Sequence, residues 1–88
     1  MPSISEFYGI KIFMYWNDNE RHFTPHVHVF YAEFQASVDF NGSILGGSLP
    51  KTASKLTKKW ILKNRDSLEY AWERALESKP TPKIKGLQ

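Results

Sequence analysis

Three histidines within seven residues are the side chains of this sequence best suited to chemistry: His22, His26 and His28. On a strand, residues two apart project from the same face, so His26 and His28 would present their rings together. His22 precedes them in a polar stretch and could fold back toward them. Three imidazoles around an open position can hold a catalytic zinc ion. The cluster therefore predicts a zinc site as one hypothesis, although adjacent strand histidines also commonly serve only packing or hydrogen bonding.

The carboxylate of Asp39 offers a metal-free alternative. It falls opposite His26 if the strand carrying the histidines pairs with the next strand through a two-residue turn at 32–33. Asp39 could then orient the His26 ring, and His26 and His28 could act as acid and base. These three residues are the candidate catalytic residues of a small ribonuclease-like hydrolase. Nothing indicates nucleophilic catalysis, because the chain has no cysteine, no Gly-x-Ser-x-Gly motif and no phosphate-binding glycine loop.

The histidines lie in a part of the chain whose hydrophobic pattern predicts an antiparallel meander. Apolar and polar residues alternate with the two-residue period of a strand over 10–16, 26–31 and 34–40. Asn41-Gly42 predicts a type I′ hairpin turn, because both residues tolerate a positive φ. A short fourth strand should follow at 43–45, ended or bulged by the two glycines after it.

From Pro50 the hydrophobic period becomes helical. Leu62 falls among lysines if this helix runs on straight, which predicts a bend or break nearby. Asp66 and Glu69 have the spacing of a capping box, which predicts a second helix over 67–78. The residues expected to be buried by the helices are Ala53, Leu56, Trp60, Leu68, Ala71, Trp72, Ala75 and Leu76.

The fold class predicted is therefore α+β. A three- to four-stranded antiparallel meander is followed by one bent or two C-terminal helices, which pack on one sheet face. Length allows one domain, over residues 1–78, because a second core would have too few residues. Residues 79–88 are predicted to be a flexible basic tail.

The sheet face turned away from the helices is the predicted binding surface, made of Lys11, Phe13, Tyr15, His26, His28 and Phe30. Its aromatic rings could stack on the bases of a nucleic acid. They could equally form a protein interface, whose core is rich in aromatic residues and poor in charge. The third alternative is that the loop over 17–25 or the tail covers the face, which would then be core.

A concentrated positive charge marks the first helical segment. Residues 51–65 carry six basic side chains and no acid, within a chain of net charge +3. Such a segment can attract nucleic acid or an acidic protein, and it can also be an ordinary solvated helix face. The candidate binding residues are Lys55, Lys58, Lys59 and Lys63.

The composition fits a protein of a reducing compartment. There is no cysteine, so neither disulfides nor thiolate zinc sites can stabilise the fold. No apolar run is long enough to span a bilayer, and the first residues lack the basic region of a secretory signal. A cytoplasmic location without a membrane partner is the expectation.

Several short motifs together resemble the domain-of-unknown-function family numbered 4160. They cover most of the chain up to about residue 75: Met1-Pro2-Ser3-Ile4-Ser5, Phe7, Gly9-Ile10, Ile12, Pro25-His26-Val27-His28, Tyr31, Leu49-Pro50, Trp60-Ile61, Leu68 and Trp72. The family's histidine motif is typically Pro-Pro-His-Phe-His, whereas this chain has Thr24 and Val27 at two of its positions. The family also usually has a glycine in the turn where this chain has Ala32.

The resemblance implies a small bacterial protein that acts with a partner. Members of this family are often encoded beside a small protein of the unknown-function family numbered 2442, an arrangement typical of toxin–antitoxin modules. The expectation is an interaction module that binds this partner protein, RNA or the ribosome. The alternatives are the histidine-dependent or zinc-dependent hydrolase described above, and a homodimer that buries the aromatic face.

Overall fold

A computed structural model describes residues 3–14, 25–77 and 79–87 of the chain. Within these ranges, five strands form one antiparallel sheet in which each strand pairs with the next along the chain. Two helices follow the sheet. The elements are β1 (Ser5–Phe7), β2 (Ile10–Phe13), β3 (His26–Tyr31), β4 (Phe34–Asp39), β5 (Ile44–Gly47), α1 (Lys51–Lys63) and α2 (Arg65–Leu76). The α+β arrangement is confirmed, with five strands rather than three to four.

The additional strand is β1, which precedes the first predicted strand. Tyr8 and Gly9 form a two-residue loop between β1 and β2, and both have a positive φ, 49° and 80°. Two positive φ angles are the property of a type I′ turn, which matches the twist of the flanking strands. The sequence concealed this hairpin because tyrosine is an unusual residue for such a turn and β1 is too short to show alternation.

The predicted pairing of β3 with β4 is confirmed. His26 lies opposite Asp39 and His28 opposite Ser37, through a two-residue turn that begins at Ala32. Ala32 has a φ of 51°, a conformation that glycine adopts more readily. This register places all side chains of β3 and β4 on the predicted faces, because a slip of one residue would have reversed them.

The predicted hairpin between β4 and β5 is confirmed, but its predicted type I′ turn at Asn41-Gly42 is wrong. Among these two residues only Gly42 has a positive φ, 86°, and four residues, 40–43, separate β4 from β5 rather than two. The Asp39 N–H donates to the Ser43 carbonyl at 2.9 Å, and one Asp39 carboxylate oxygen accepts hydrogen bonds from the N–H groups of Asn41 and Ser43 at 2.9 and 2.8 Å. The aspartate side chain therefore closes this turn, which the sequence predicted to form through a positive φ at Asn41.

Strand β5 ends at Gly47, within the glycine pair that the sequence predicted to end or to bulge it. Its register with β4 shifts between Ser37 and Val38, whose partners are Gly46 and Ile44, so Leu45 is an extra residue. Gly47 has a φ of 78°, and a β-carbon there would collide with the carbonyl oxygen of Gln35. Gly46 has open space around the same position. The two neighbouring glycines thus have different roles.

Gly47→Ala is expected to lower the free energy of unfolding by about 1–3 kcal/mol or more, because a non-glycine residue at positive φ is strained and the new methyl group meets backbone. Gly46→Ala is the matched control and should change stability by less than about 0.5 kcal/mol. Urea denaturation of both variants checks this. Equal destabilisation by the two substitutions would contradict the geometry of β5.

The two helices are separated at Asn64, which has non-helical dihedral angles of −114° and 24°. Its side-chain amide donates to the Trp60 carbonyl at 2.9 Å, and its N–H also reaches the last carbonyls of α1. The chain therefore leaves α1 before Asp66, and α2 begins at Arg65 without a side-chain cap. The predicted capping box is wrong, and Asp66 lies instead in the first turn of α2. Neither helix, within the described residues, is long and apolar enough to cross a membrane.

The core lies between the helices and one face of the sheet, where the side chains of Ile10, Ile12, Val27, Val29, Val38, Ala53, Trp60, Ile61, Leu68 and Ala71 are buried. Trp60 is fully buried and stacks on Phe7, with ring centroids 5.6 Å apart. This contact fixes which sheet face α1 covers. Two helical leucines lie outside the core: Leu62 is 50% exposed, as its position among lysines indicated, whereas Leu76, predicted to be buried, is 67% exposed.

Residues 79–87, predicted to be a flexible tail, pack against the domain. Ile84 is buried, and its N–H donates to the Ile4 carbonyl at 2.7 Å. The Trp60 ring N–H donates to the Lys85 carbonyl at 2.9 Å. The Lys79 ammonium hydrogen-bonds the Glu77 carboxylate and lowers the pKa of that carboxyl. The tail therefore packs along β1 and extends the core. It can do so because it carries apolar side chains as well as lysines.

Candidate functional site: the outer sheet face

The outer sheet face is the side of the sheet opposite Trp60 and α1. Strand alternation places ten of the described residues on it: Glu6, Lys11, Phe13, His26, His28, Phe30, Gln35, Ser37, Asp39 and Gly46. They form cross-strand rows. One row contains Lys11, Phe30 and Gln35, and the next contains Phe13, His28, Ser37 and Gly46. The predicted aromatic and histidine residues of β2 and β3 are thus brought together.

Phe13 and Phe30 form the centre of this face. Their rings meet edge to face at 88°, with centroids 5.3 Å apart. The two residues are diagonal neighbours, since Phe13 lies opposite His28 and Phe30 lies opposite Lys11. Such a pair stabilises the sheet by about 0.5–1.5 kcal/mol beyond the area it buries. Both side chains remain half-buried in the described structure, so part of each ring is accessible.

The two histidines of β3 have different surroundings, although their rings are only 5.1 Å apart. His26 is buried, at 3% exposure, and lies 5.4 Å from the ring of Trp72. Trp72 also packs edge to face against Phe40 at 6.3 Å. The prediction that this face is turned away from the helices is therefore wrong at His26, because Trp72 of α2 contacts it. His28 is half-buried and lines a cavity.

Asp39 lies opposite His26 and also has a structural role in the hairpin after β4. One of its carboxylate oxygens accepts two backbone hydrogen bonds in the hairpin after β4. A carboxylate is suited to this position because it can accept several hydrogen bonds at once. Sequence reasoning missed this task, although aspartate shortly before an Asn-Gly pair is a common turn signal. An orienting role toward His26 stays a prediction.

Two shallow cavities flank Phe30 on the outer sheet face. One, of about 230 Å³, is lined by His28, Phe30, Gln35, Ala36, Ser37, Gly46 and Gly47. The other, of about 470 Å³, is lined by Gly9, Lys11, Phe13, Phe30 and Ala32. Gln35 and Ser37 add hydrogen-bonding groups that were not among the predicted site residues. Their signal was present in the sequence, since the register that placed Ser37 opposite His28 also placed it on this face.

The charges on the outer sheet face are few and nearly balanced. The Lys11 ammonium lies 4.0 Å from the Glu6 carboxylate, and both side chains are more than half exposed. Asp39 is the third charged residue. Among the residues of this face that the structure describes, a single cation beside two carboxylates gives no positive field that would attract a phosphate backbone.

The predicted lysines lie on a different surface. Lys55, Lys58, Lys59 and Lys63 are exposed on α1, which packs against the opposite side of the sheet through Trp60. Lys58 reaches the hairpin after β4, where its side chain lies beside Gly42. The structure thus presents two separate surfaces, an aromatic one and a basic one, rather than one composite site.

The zinc prediction depends on a residue that lies outside the described structure. His22 falls in the range 15–24, as does Tyr15, the remaining predicted residue of the aromatic face. Among the described residues, no group of three or more histidine, aspartate, glutamate or cysteine side chains is placed to hold a metal ion. His26 and His28 are close enough to share a ligand, and zinc binding with His22 stays a prediction.

Comparison with known proteins identifies the family but no activity. No curated protein matches the sequence, and no solved structure matches the fold. A family model described as a domain of unknown function, DUF4160, matches residues 9–73, which include β2, β3 and the outer-face histidines. Because this match covers well over half of the chain, the protein belongs to the DUF4160 family.

Proposed function

We propose that this chain is an interaction module that binds a partner protein through its outer sheet face, as one component of a toxin–antitoxin-like pair. The observation that carries the proposal is the half-buried Phe13–Phe30 pair, with a cavity on either side of Phe30. Aromatic side chains next to pockets are the residues that most often dominate the energy of protein interfaces. The paired-gene arrangement of the family resemblance supports a protein as the ligand.

The charge distribution favours a protein over RNA on this face. A nucleic acid that stacks on aromatic rings also needs cations along its phosphates. Lys11 is the one cation among the ten described residues of the outer sheet face, and Glu6 lies beside it. The cores of protein interfaces are instead depleted in charge, with aromatic residues at the centre and polar groups around them. On this face, Gln35 and Ser37 are such polar groups.

RNA or the ribosome remains a second ligand class, and α1 supports it. Five exposed lysines and no acidic residue lie along this helix. A polyanion bound there would occupy the opposite side of the domain from the partner protein. We therefore expect the two ligands to bind without competing. The partner protein would then control RNA binding by this chain only through contacts outside the outer sheet face.

The hydrolase alternative draws its support from His28, which shares a cavity with Ser37 and Gln35. Its proposed second histidine is the weaker element, because Trp72 packs on His26 and leaves it 3% exposed. A general acid or base must reach the proton that it transfers, directly or through one water. Binding accounts for more of the outer sheet face than hydrolysis does.

Phe30→Ala is expected to weaken binding of the protein encoded by the neighbouring gene of family 2442 by about 30-fold or more, the effect of removing a central aromatic anchor. Isothermal titration calorimetry at micromolar concentrations measures it. Tyr70→Ala is the matched control, because Tyr70 is an exposed aromatic residue of α2 whose ring contacts Arg74 of the same helix and is not among the residues of the outer sheet face. Absence of any complex with the native chain, or equal losses in the two variants, would contradict the proposal.

A further inference from the structure

The two edges of the sheet are protected differently. The β1 edge is covered by the chain's own C-terminal segment: Ile84 donates its N–H to the Ile4 carbonyl at 2.7 Å. Gly86 lies directly against β1, since a β-carbon there would be 2.8 Å from the Glu6 carbonyl oxygen. Strand β5, in contrast, has one neighbour, β4, among the strands that the structure describes. An edge strand of this kind presents unpaired N–H and C=O groups.

The side chains of β5 offer little protection against pairing with another chain. Ile44 and Leu45 are 40% and 47% exposed. No charged residue occurs from Phe40 to Pro50. Soluble proteins usually protect such an edge with lysine or proline, or by a bulge and a short strand. Here the bulge at Leu45 and the length of four residues are present, but the charges are absent and two apolar side chains are exposed.

We propose that β5 pairs antiparallel with β5 of a second copy of this chain, around a two-fold axis near Leu45. A neutral strand is self-complementary, because two copies meet without repulsion between like charges. Pairing of β5 with the β1 edge of another copy is blocked by the docked tail. The contact is therefore symmetric and closes at two copies instead of propagating as a fibre. The five described strands of each copy then join into one continuous sheet.

The contact is short, so its apolar side chains must contribute much of its stability. Four residues on each strand provide few backbone hydrogen bonds. Ile44 and Leu45 of both copies would be removed from water together. Gly46 carries no side chain and has open space around its β-carbon position, so it allows another backbone to approach closely. Both outer sheet faces stay accessible in this dimer, which therefore goes beyond the proposed binding of a partner protein.

Sedimentation equilibrium of the full chain at concentrations up to about 200 μM tests the proposal. We expect a mass that rises to twice the 10.2 kDa of the monomer. Leu45→Lys should shift the chain to monomer by at least about tenfold in dissociation constant, because a lysine on an edge opposes pairing. Leu62→Lys is the matched control: Leu62 is 50% exposed, on α1, and this variant should dimerise like the native chain. Circular dichroism and thermal melting establish that both variants are folded.

A native chain that stays monomeric over the whole concentration range would overturn the proposal. So would a dimer that Leu45→Lys leaves intact, since its contact would lie elsewhere. A second variant gives a positive signal: Leu45→Cys should form a covalent dimer under mild oxidation, and Leu62→Cys should not, in a chain that has no other cysteine. Leu45→Lys changes the β5 contact and leaves the outer sheet face unchanged, so loss of the dimer and loss of partner binding can be told apart. A monomeric Leu45→Lys variant that still binds the neighbouring gene product supports both the β5 contact and the separate outer-face site.

Discussion

Replacing Trp60 with alanine is expected to lower the free energy of unfolding by about 3–5 kcal/mol, the range measured for large-to-small changes of buried tryptophan. Trp60 is fully buried and stacks on Phe7 at 5.6 Å. Its ring N–H also holds the C-terminal tail, through the Lys85 carbonyl at 2.9 Å. The substitution removes contacts to the sheet and to the tail at once. A domain of this size has only about 5–15 kcal/mol of stability to lose.

Two further variants separate these contributions in urea denaturation. Trp60→Phe keeps an aromatic ring against Phe7 but removes the hydrogen bond to the tail, so it should cost less, about 1–3 kcal/mol. Leu62→Ala changes an exposed side chain two positions further along the same helix and should cost less than about 1 kcal/mol. If Trp60→Ala were no more destabilising than Leu62→Ala, Trp60 would not lie in the core.

Ile84→Ala is expected to destabilise the domain by about 2–4 kcal/mol, although the residue belongs to a segment with the composition of a flexible tail. The physical reason is that Ile84 is buried against the core and its backbone pairs with Ile4. A loose tail would make this substitution silent. The measurement is again the urea midpoint, followed by tryptophan fluorescence, because Trp60 contacts the same segment.

Lys83→Ala is the control for this prediction. Lys83 is exposed and adjacent to Ile84, so it shares the segment but not the burial. We expect a change of less than about 0.5 kcal/mol. Equal midpoints for the two variants and the native chain would mean that residues 79–87 do not stabilise the domain, and that the β1 edge is open in solution.

The sheet could be predicted where the alternation of apolar and polar residues was long. This alternation also fixed the register there, because it assigns each side chain to one of the two faces. The alternation over β3 and β4 predicts that His26 lies opposite Asp39, and the structure confirms that pairing. The strand β1 could not be found, since three residues cannot establish a period and Tyr8 gives no turn signal. The break between the helices was indicated by Leu62, but its position depended on Asn64, whose side chain bonds to Trp60.

The aromatic centre of the candidate site was predictable for the same reason as the register. Phe13, His28 and Phe30 share a face because side chains alternate along paired strands. The burial of His26 was not predictable, since it depends on Trp72 reaching the sheet from α2. The separation of the α1 lysines from Phe30, in contrast, follows from the prediction that the helices pack on the other face of the sheet.

Nuclear magnetic resonance with cross-saturation from the partner tests the central proposal most directly. The isotope-labelled chain is mixed with the unlabelled protein encoded by the neighbouring gene, and saturation transfer is read at each amide. We predict transfer at Phe13, His28 and Phe30, with none at Lys55 or Lys59 of α1. Transfer concentrated on α1, with silent signals across the outer sheet face, would contradict the assignment of that face as the partner-binding surface.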